Sequence, residues 1–256
     1  MRLSTRIAIV RNAYWPLVVG AMALTAIVGL AVDRQPGASL LAFVVCVGLA
    51  AHLAWSPFLA RLMASMMERL QAQMDAALDD GDDAARHRLV DELDEYSRRF
   101  FPRVESYRAR LRVRALAADE KWSEALESLR QMGDTAVGTN ERVAHDNLVA
   151  WCCAHAGETA RAVGLARANA EAPADARMRP YLLGTLGAAL VLDGQHAAAL
   201  APLRDALALG GPRWAQAVRR YYLGEALAAL GRFDEARAEW HQAVTIAPRS
   251  RWGRRA

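Results

Sequence analysis

The chain of 256 residues is short of the groups that most chemistry needs. It has 3 cysteines, Cys46, Cys152 and Cys153. The adjacent pair lies in a helical pattern and points in different directions, so no disulfide framework is indicated, which fits a reducing compartment. Lys121 is the only lysine. A basic complement made otherwise of arginine reads as the composition of a GC-rich bacterial genome rather than as a phosphate-binding device. The net charge of +4 is mild, and no broader basic motif accompanies it, which argues against a nucleic-acid partner. No P-loop, dinucleotide glycine fingerprint, nucleophile elbow or paired metal-binding histidine motif occurs. Cys152 and His155 have the spacing of two helical ligands, but no second pair joins them to complete a zinc site. Asp79-Asp80-Gly81-Asp82-Asp83 lacks the alternating ligands and distal glutamate of a calcium loop, and reads as a helix end followed by an Asp N-cap. These absences argue against an enzyme and imply no cofactor or metal.

Long charge-free runs, by contrast, are present. Ala13–Val32 runs 20 residues without a charge, and Leu40–Ala60 runs 21. Each is long enough to cross a hydrocarbon core of about 30 Å as a helix. Asp33–Ser39 between them is rich in turn formers. The reading is a transmembrane hairpin within residues 1–61. Tyr14, Trp15 and Trp55 stand at interface positions. Arg2, Arg6 and Arg11 precede the first span, and Arg61 and Arg69 follow the second. The positive-inside rule then places both termini in the cytoplasm of a bacterium, with the hairpin in its inner membrane and the bilayer as a partner. His52 falls inside the second span and reads as a neutral histidine packed in the hairpin.

The strongest pattern lies beyond these runs. Ala125, Ala162, Ala199 and Ala236 are spaced 37 residues apart. Each follows a turn position by five residues, and three of those turns carry Gly157, Gly194 and Gly231. A fixed period of this size on helical sequence indicates stacked helical hairpins. The expected fold is all-α: the membrane hairpin, a linker hairpin over 62–102, and an α-solenoid of four repeats at about 106–139, 143–176, 180–213 and 217–250.

The last repeat carries a family resemblance. Residues 217–250 resemble a tetratricopeptide repeat (TPR) through Leu223-Gly224, Gly231, Phe233, Ala236, Trp240, Ala243 and Pro248. Gly224 is small where the two helices cross. Trp240 lies one turn beyond Ala236 on the same face. Leu227 and Arg220 depart from the aromatic residues usual at those positions. The repeat at 180–213 keeps Gly187, Gly194 and Ala199. The first repeat keeps Trp122 and Ala125 but has Glu120 at its turn. Two spans before helical repeats also resemble the arrangement of inner-membrane TPR proteins associated with haem biosynthesis, with no motif linking the two.

The resemblance implies a protein or peptide partner held in a groove lined by the first helices. Carried over position by position, the groove candidates are Tyr107, Arg110, Arg114, Asn147, Trp151, His155, Tyr181, Tyr221 and Glu225. Arginines among aromatics form the residue mix of binding hot spots. The family's carboxylate clamp is not reproduced, because Leu148 and Thr185 stand where asparagine and a basic residue are needed. The tail Arg249–Ala256 reads as a disordered basic end whose arginines could touch anionic lipid. The functional expectation is a membrane-tethered adaptor. Its alternative is a subunit of a secretion, transport or envelope-assembly complex that uses the spans as its interaction surface.

Overall fold

The computed structural model describes residues 19, 20, 23, 61, 65–66, 68–100, 105–132 and 139–256. The chain divides into two compact units, Met1–Gln71 and Ala72–Ala256. In the first, the described residues are helical. The second is all-α. It opens with a helical stretch, 72–80, and continues through α1 (Asp83–Phe100), α2 (Glu105–Ala118), α3 (Trp122–Met132), α4 (Thr139–His155) and α5 (Thr159–Glu171). There follow α6 (Arg179–Leu192), α7 (His196–Ala208), α8 (Arg213–Ala229), α9 (Phe233–Ile246) and the short α10 (Arg251–Arg255).

Helices α2 to α9 form four antiparallel hairpins: α2/α3, α4/α5, α6/α7 and α8/α9. The same turn closes each one. The second residue after the first helix has positive φ: 63° at Glu120, 89° at Gly157, 78° at Gly194 and 77° at Gly231. The next N–H reaches back to the carbonyl five residues earlier: Lys121 to Leu116, Glu158 to Cys153, Gln195 to Leu190 and Arg232 to Leu227, at 2.8–2.9 Å. This is the Schellman arrangement, which satisfies orphan carbonyls at a helix end. Glycine enters it without a steric cost, whereas Glu120 holds a strained backbone.

Five residues on, Ala125, Ala162, Ala199 and Ala236 are each 0% exposed. Any larger side chain would push the two helices of a hairpin apart. The contact is as close at Gly224, where an added Cβ would overlap the Trp240 ring, and at Gly187, where it would overlap Leu203. The 37-residue spacing is thus the distance between successive helix crossings.

Arginine secures the ends of the second helices. Arg179 donates to Ala170 O in the last turn of α5. Arg219 donates to Ala206 O and Gly210 O at 3.1 and 2.5 Å, at the end of α7. Arg213 donates to Ile246 O at 2.7 Å, at the end of α9. A cation beside the final carbonyls complements the helix dipole. Arg219 is only 2% exposed, and burial pulls its guanidinium down to about 10.

The linker hairpin places its two arms differently. Asp82 caps α1, its Oδ1 accepting from Ala85 N at 2.8 Å. Helix α1 packs beside α2. Buried Arg86 on α1 pairs with Asp83 at 2.8 Å and with Asp119 at 2.5 Å. The 72–80 stretch instead runs onto the face lined by the first helices. Its Asp75 accepts from Trp214 Nε1 at 3.0 Å, and its Asp79 accepts from Trp214 N at 2.5 Å. Asp79 thereby satisfies the first turn of α8, whose N-cap Pro212 supplies no side-chain cap.

The structure corrects the membrane reading. The apolar runs 13–32 and 40–60 fall almost wholly outside the described residues. Among the described residues, no helix is long and apolar enough to cross a membrane. The apolar α6 has 14 residues, about 21 Å of rise, against a hydrocarbon core of about 30 Å. The transmembrane hairpin is therefore withdrawn from the fold. The two-span inner-membrane localisation, the cytoplasmic placement of both termini and the bilayer as a partner rested on it and are withdrawn too.

Candidate functional site

Four of the nine groove candidates, Trp151, His155, Tyr181 and Tyr221, fall in two clusters on the face built by α2, α4, α6 and α8, and each cluster holds a segment of the chain itself. The first contains Trp151 and His155 of α4, Tyr221 and Tyr222 of α8, Trp122 of α3 and Trp252 of α10. Trp151 and His155 are a turn apart, so one helical face presents both. His155 is sandwiched, its ring 4.3 Å from Trp122 in a stacked pair and 4.3 Å from Trp151. The Trp252 ring lies 5.2 Å from both Tyr221 and Tyr222, and 6.1 Å from both Trp151 and His155. These separations fall in the range where aromatic pairs attract beyond simple burial.

The hydrogen bonds decide the histidine's state. Nδ1 lies 2.9 Å from Trp151 O, so it carries the proton and donates. Nε2, 2.7 Å from the Tyr222 hydroxyl, then accepts. Burial, with Arg251 and Arg255 nearby, pulls the imidazole down to about 4 and keeps it neutral. Burial also pushes the Tyr222 phenol well above its ordinary range, so it stays a donor.

Helix α10 reaches this cluster through charge as well as rings. Arg251 and Arg255 both pair with Glu120 Oε1, each at 2.5 Å. The Arg251 guanidinium lies 5.5 Å from the Trp122 centroid and 4.9 Å from that of Trp252. Arg255 lies 5.4 Å from Trp252. Arg251 also donates to Ala117 O at 3.1 Å. The α10 backbone starts at Ser250, whose Oγ accepts from Gly253 N at 3.1 Å. A Cβ on Gly253 would strike the Ala247 carbonyl, so only glycine lets α10 fold back this closely.

The second cluster is Tyr181 of α6, Trp214 and Arg219 of α8, and the 72–80 stretch. Tyr181 lies 6.4 Å from Trp214, and Arg219 sits over the Tyr181 ring at 5.6 Å. Burial raises both the Tyr181 phenol and the Asp79 carboxyl, the latter despite its bond from Trp214 N. Met74 on the same stretch is completely buried.

The remaining candidates fall elsewhere. Arg110 pairs loosely with Glu141 at 3.9 Å. Arg114 and Asn147 each bury one polar atom, Nη1 and Oδ1, that has no hydrogen-bond partner. Glu225 is half-buried one turn from Tyr221, and its carboxyl is raised by burial. Tyr107 lies in α2, but its side chain is outside the described residues. Cys152 is fully buried, which pushes its thiol up to about 12, so it supplies no thiolate.

Sequence reasoning overlooked Tyr222 and misjudged the tail. Arg249–Ala256 includes a capped helix whose Arg251 and Arg255 engage Glu120, and these two arginines are not extended toward lipid. One signal was available: Ser250 is an N-cap residue directly before Arg-Trp-Gly-Arg-Arg.

Comparison with known proteins agrees with the helical array. Residues 217–250 match the tetratricopeptide repeat family. No curated protein sequence matches the chain. A solved structure of similar fold is that of Bacillus thuringiensis PlcR in complex with the peptide PapR7 and DNA. It superposes with a TM-score of 0.62 at 13% identity, covering 86% of this chain and 83% of that one.

Proposed function

We propose that this chain, a helical array carrying a tetratricopeptide repeat at 217–250, is a non-catalytic adaptor. Its inner face, lined by α2, α4, α6 and α8, recruits a peptide segment of a protein partner. The observation that carries this reading is that the face already holds two helical segments, 72–80 and α10, through rings, arginines and carboxylates. A surface that seats a helix of its own chain has the chemistry to seat one from another chain. The shared fold with PlcR, whose structure contains the peptide PapR7, supports a peptide as the ligand class.

Among the described residues of this face, none is set up for catalysis. The histidine is held neutral by burial and both of its nitrogens are engaged. The neighbouring thiols are buried. Rings and guanidinium groups dominate, which is the composition of recognition.

The test is affinity capture with the full chain, run beside the triple variant Arg110→Ala, Arg114→Ala, Tyr221→Ala. Partners are identified by mass spectrometry. A partner held by the native chain and lost from the folded variant supports the inner face. Equal retention by both would move the interaction to the outer face and end this reading.

A further inference from the structure

We propose that α10 is a built-in, displaceable occupant of the aromatic cage, and that the cage accepts partner segments of the same chemistry: a short helix presenting an indole flanked by arginines one turn apart. The inference rests on the adaptor reading and names its ligand.

Three observations combine. First, α10 is held like a ligand. It has 5 residues, and only Trp252 and Gly253 among them are buried. A helix so short is not stable by itself in water, so it owes its shape to its seat. It joins α9 through Ala247–Ser250, where Ala247 leaves the helix with φ −142° and ψ 69°.

Second, the cage is built by the array. Trp122, Trp151, His155, Tyr221 and Tyr222 come from three different hairpins, and the imidazole is locked by two hydrogen bonds. The rings would therefore stay in place around an incoming indole. Tyrosine and tryptophan supply contact area at low entropy cost, which suits a reusable seat.

Third, the first hairpin breaks the repeat pattern where α10 needs it. The other three hairpin turns use glycine at positive φ, but here Glu120 holds φ 63°. A non-glycine residue in that region is strained, and strain of this kind concentrates where the side chain has a task. The carboxylate it carries is the one that Arg251 and Arg255 share. Glu120 is thus the recognition charge of the cage, and an incoming segment needs arginines to satisfy it.

Tethering makes α10 a strong competitor, because a short linker gives an effective concentration of about millimolar order. A partner must exceed that, so the face is closed to weak ligands and open to segments that better match the cage.

The experiment uses a fluorescently labelled synthetic peptide with the sequence Pro248–Ala256, titrated against the full chain by anisotropy. Trp252→Ala empties the cage and should bind the peptide about tenfold more tightly than the native chain. Adding Glu120→Gln to Trp252→Ala should weaken that binding about fivefold. The same peptide with alanine for its tryptophan should not bind. Arg251→Ala with Arg255→Ala is the second variant, since it loosens α10 without removing its ring, and it too should bind more tightly than native. Equal binding by native and emptied chains, or no binding by emptied chains of native helical content, would overturn the proposal. Loss of helical content in both variants would show α10 to be core structure and would equally overturn it. If the affinity capture still finds a partner on the inner face while the peptide fails, the adaptor reading stands and only this inference falls.

Discussion

The first and last hairpins share one backbone turn and differ in what that turn carries. In the last, Gly231 occupies the left-handed position, Gly224 meets Trp240, and Ala236 is fully buried. In the first, Glu120 takes the left-handed position and its carboxylate binds two arginines from α10. The last hairpin's turn follows the repeat family because Gly231 only has to reverse the chain. The first departs from it because its turn has a second task. Local rules tend to fail where function or long-range contact demands another residue, and Glu120 fits that pattern.

The largest effect should come from acid, acting at the residue where the first and last hairpins both meet the second. His155 of α4, set between Trp122 of the first hairpin and Tyr222 of the last, is held neutral with its pKa at about 4, against 6.5 in an unfolded chain. The native state therefore binds fewer protons between those values. Its stabilisation is complete above pH 6.5 and is lost as pH falls toward 4, by up to roughly 3 kcal/mol. Protonation would end acceptance from Tyr222 and set a cation beside Arg251 and Arg255, with Glu120 opposing them. Urea melts at pH 7 and pH 4.5 should differ by much of this amount, and His155→Gln should flatten the difference. A native chain whose melts do not change across that interval would refute the neutral imidazole.

Helix crossing should be the next most sensitive feature, and here the two hairpins should behave alike. Ala236→Leu and Ala125→Leu each overpack a closed crossing and should cost about 1–3 kcal/mol in denaturant melts. A marked inequality would mean that the first crossing is looser than its burial indicates.

The turns should then respond in opposite ways. Gly231→Ala has room for its methyl but not the backbone freedom, and should cost about 1 kcal/mol. Glu120→Gly relieves comparable strain but removes two partly exposed ion pairs worth about 0.5 kcal/mol each, so stability should barely move. Tryptophan fluorescence should nonetheless shift as α10 loosens. Unchanged fluorescence in Glu120→Gly would disconnect that turn from α10.

The smallest effect is expected at Arg220, where the repeat family often has tryptophan. It pairs with Glu239 at 2.6 Å across α8 and α9, both side chains being about one-fifth exposed. Arg220→Ala should cost on the order of 0.5–1 kcal/mol, largely relieved in the double variant with Glu239→Ala. A double-mutant cycle measures that coupling directly.

Much of the fold was legible in the sequence. Periodicity, turn glycines and crossing alanines are local signals, and they located four hairpins because each hairpin repeats the same local problem. Trp151, His155, Tyr181 and Tyr221 were candidates through the family resemblance, and their rings lie in the two clusters described above. The two charge-free runs led to a membrane reading that the described residues overturn, since no helix among them is long and apolar enough to cross a bilayer. The tail misled because its charges suggested solvent when their partner lay more than 100 residues away.

By itself, then, the sequence determined the repeat, its period and its turn chemistry. These depend on contacts within about 40 residues, where chain connectivity leaves few alternatives. Only the tertiary structure decided what fills that face. Asp79 reaching Trp214 and Arg251 reaching Glu120 span 135 and 131 residues. Contacts that distant depend on how each hairpin rotates on the one before it. Such a rotation accumulates over the whole array and leaves no periodic trace in the chain.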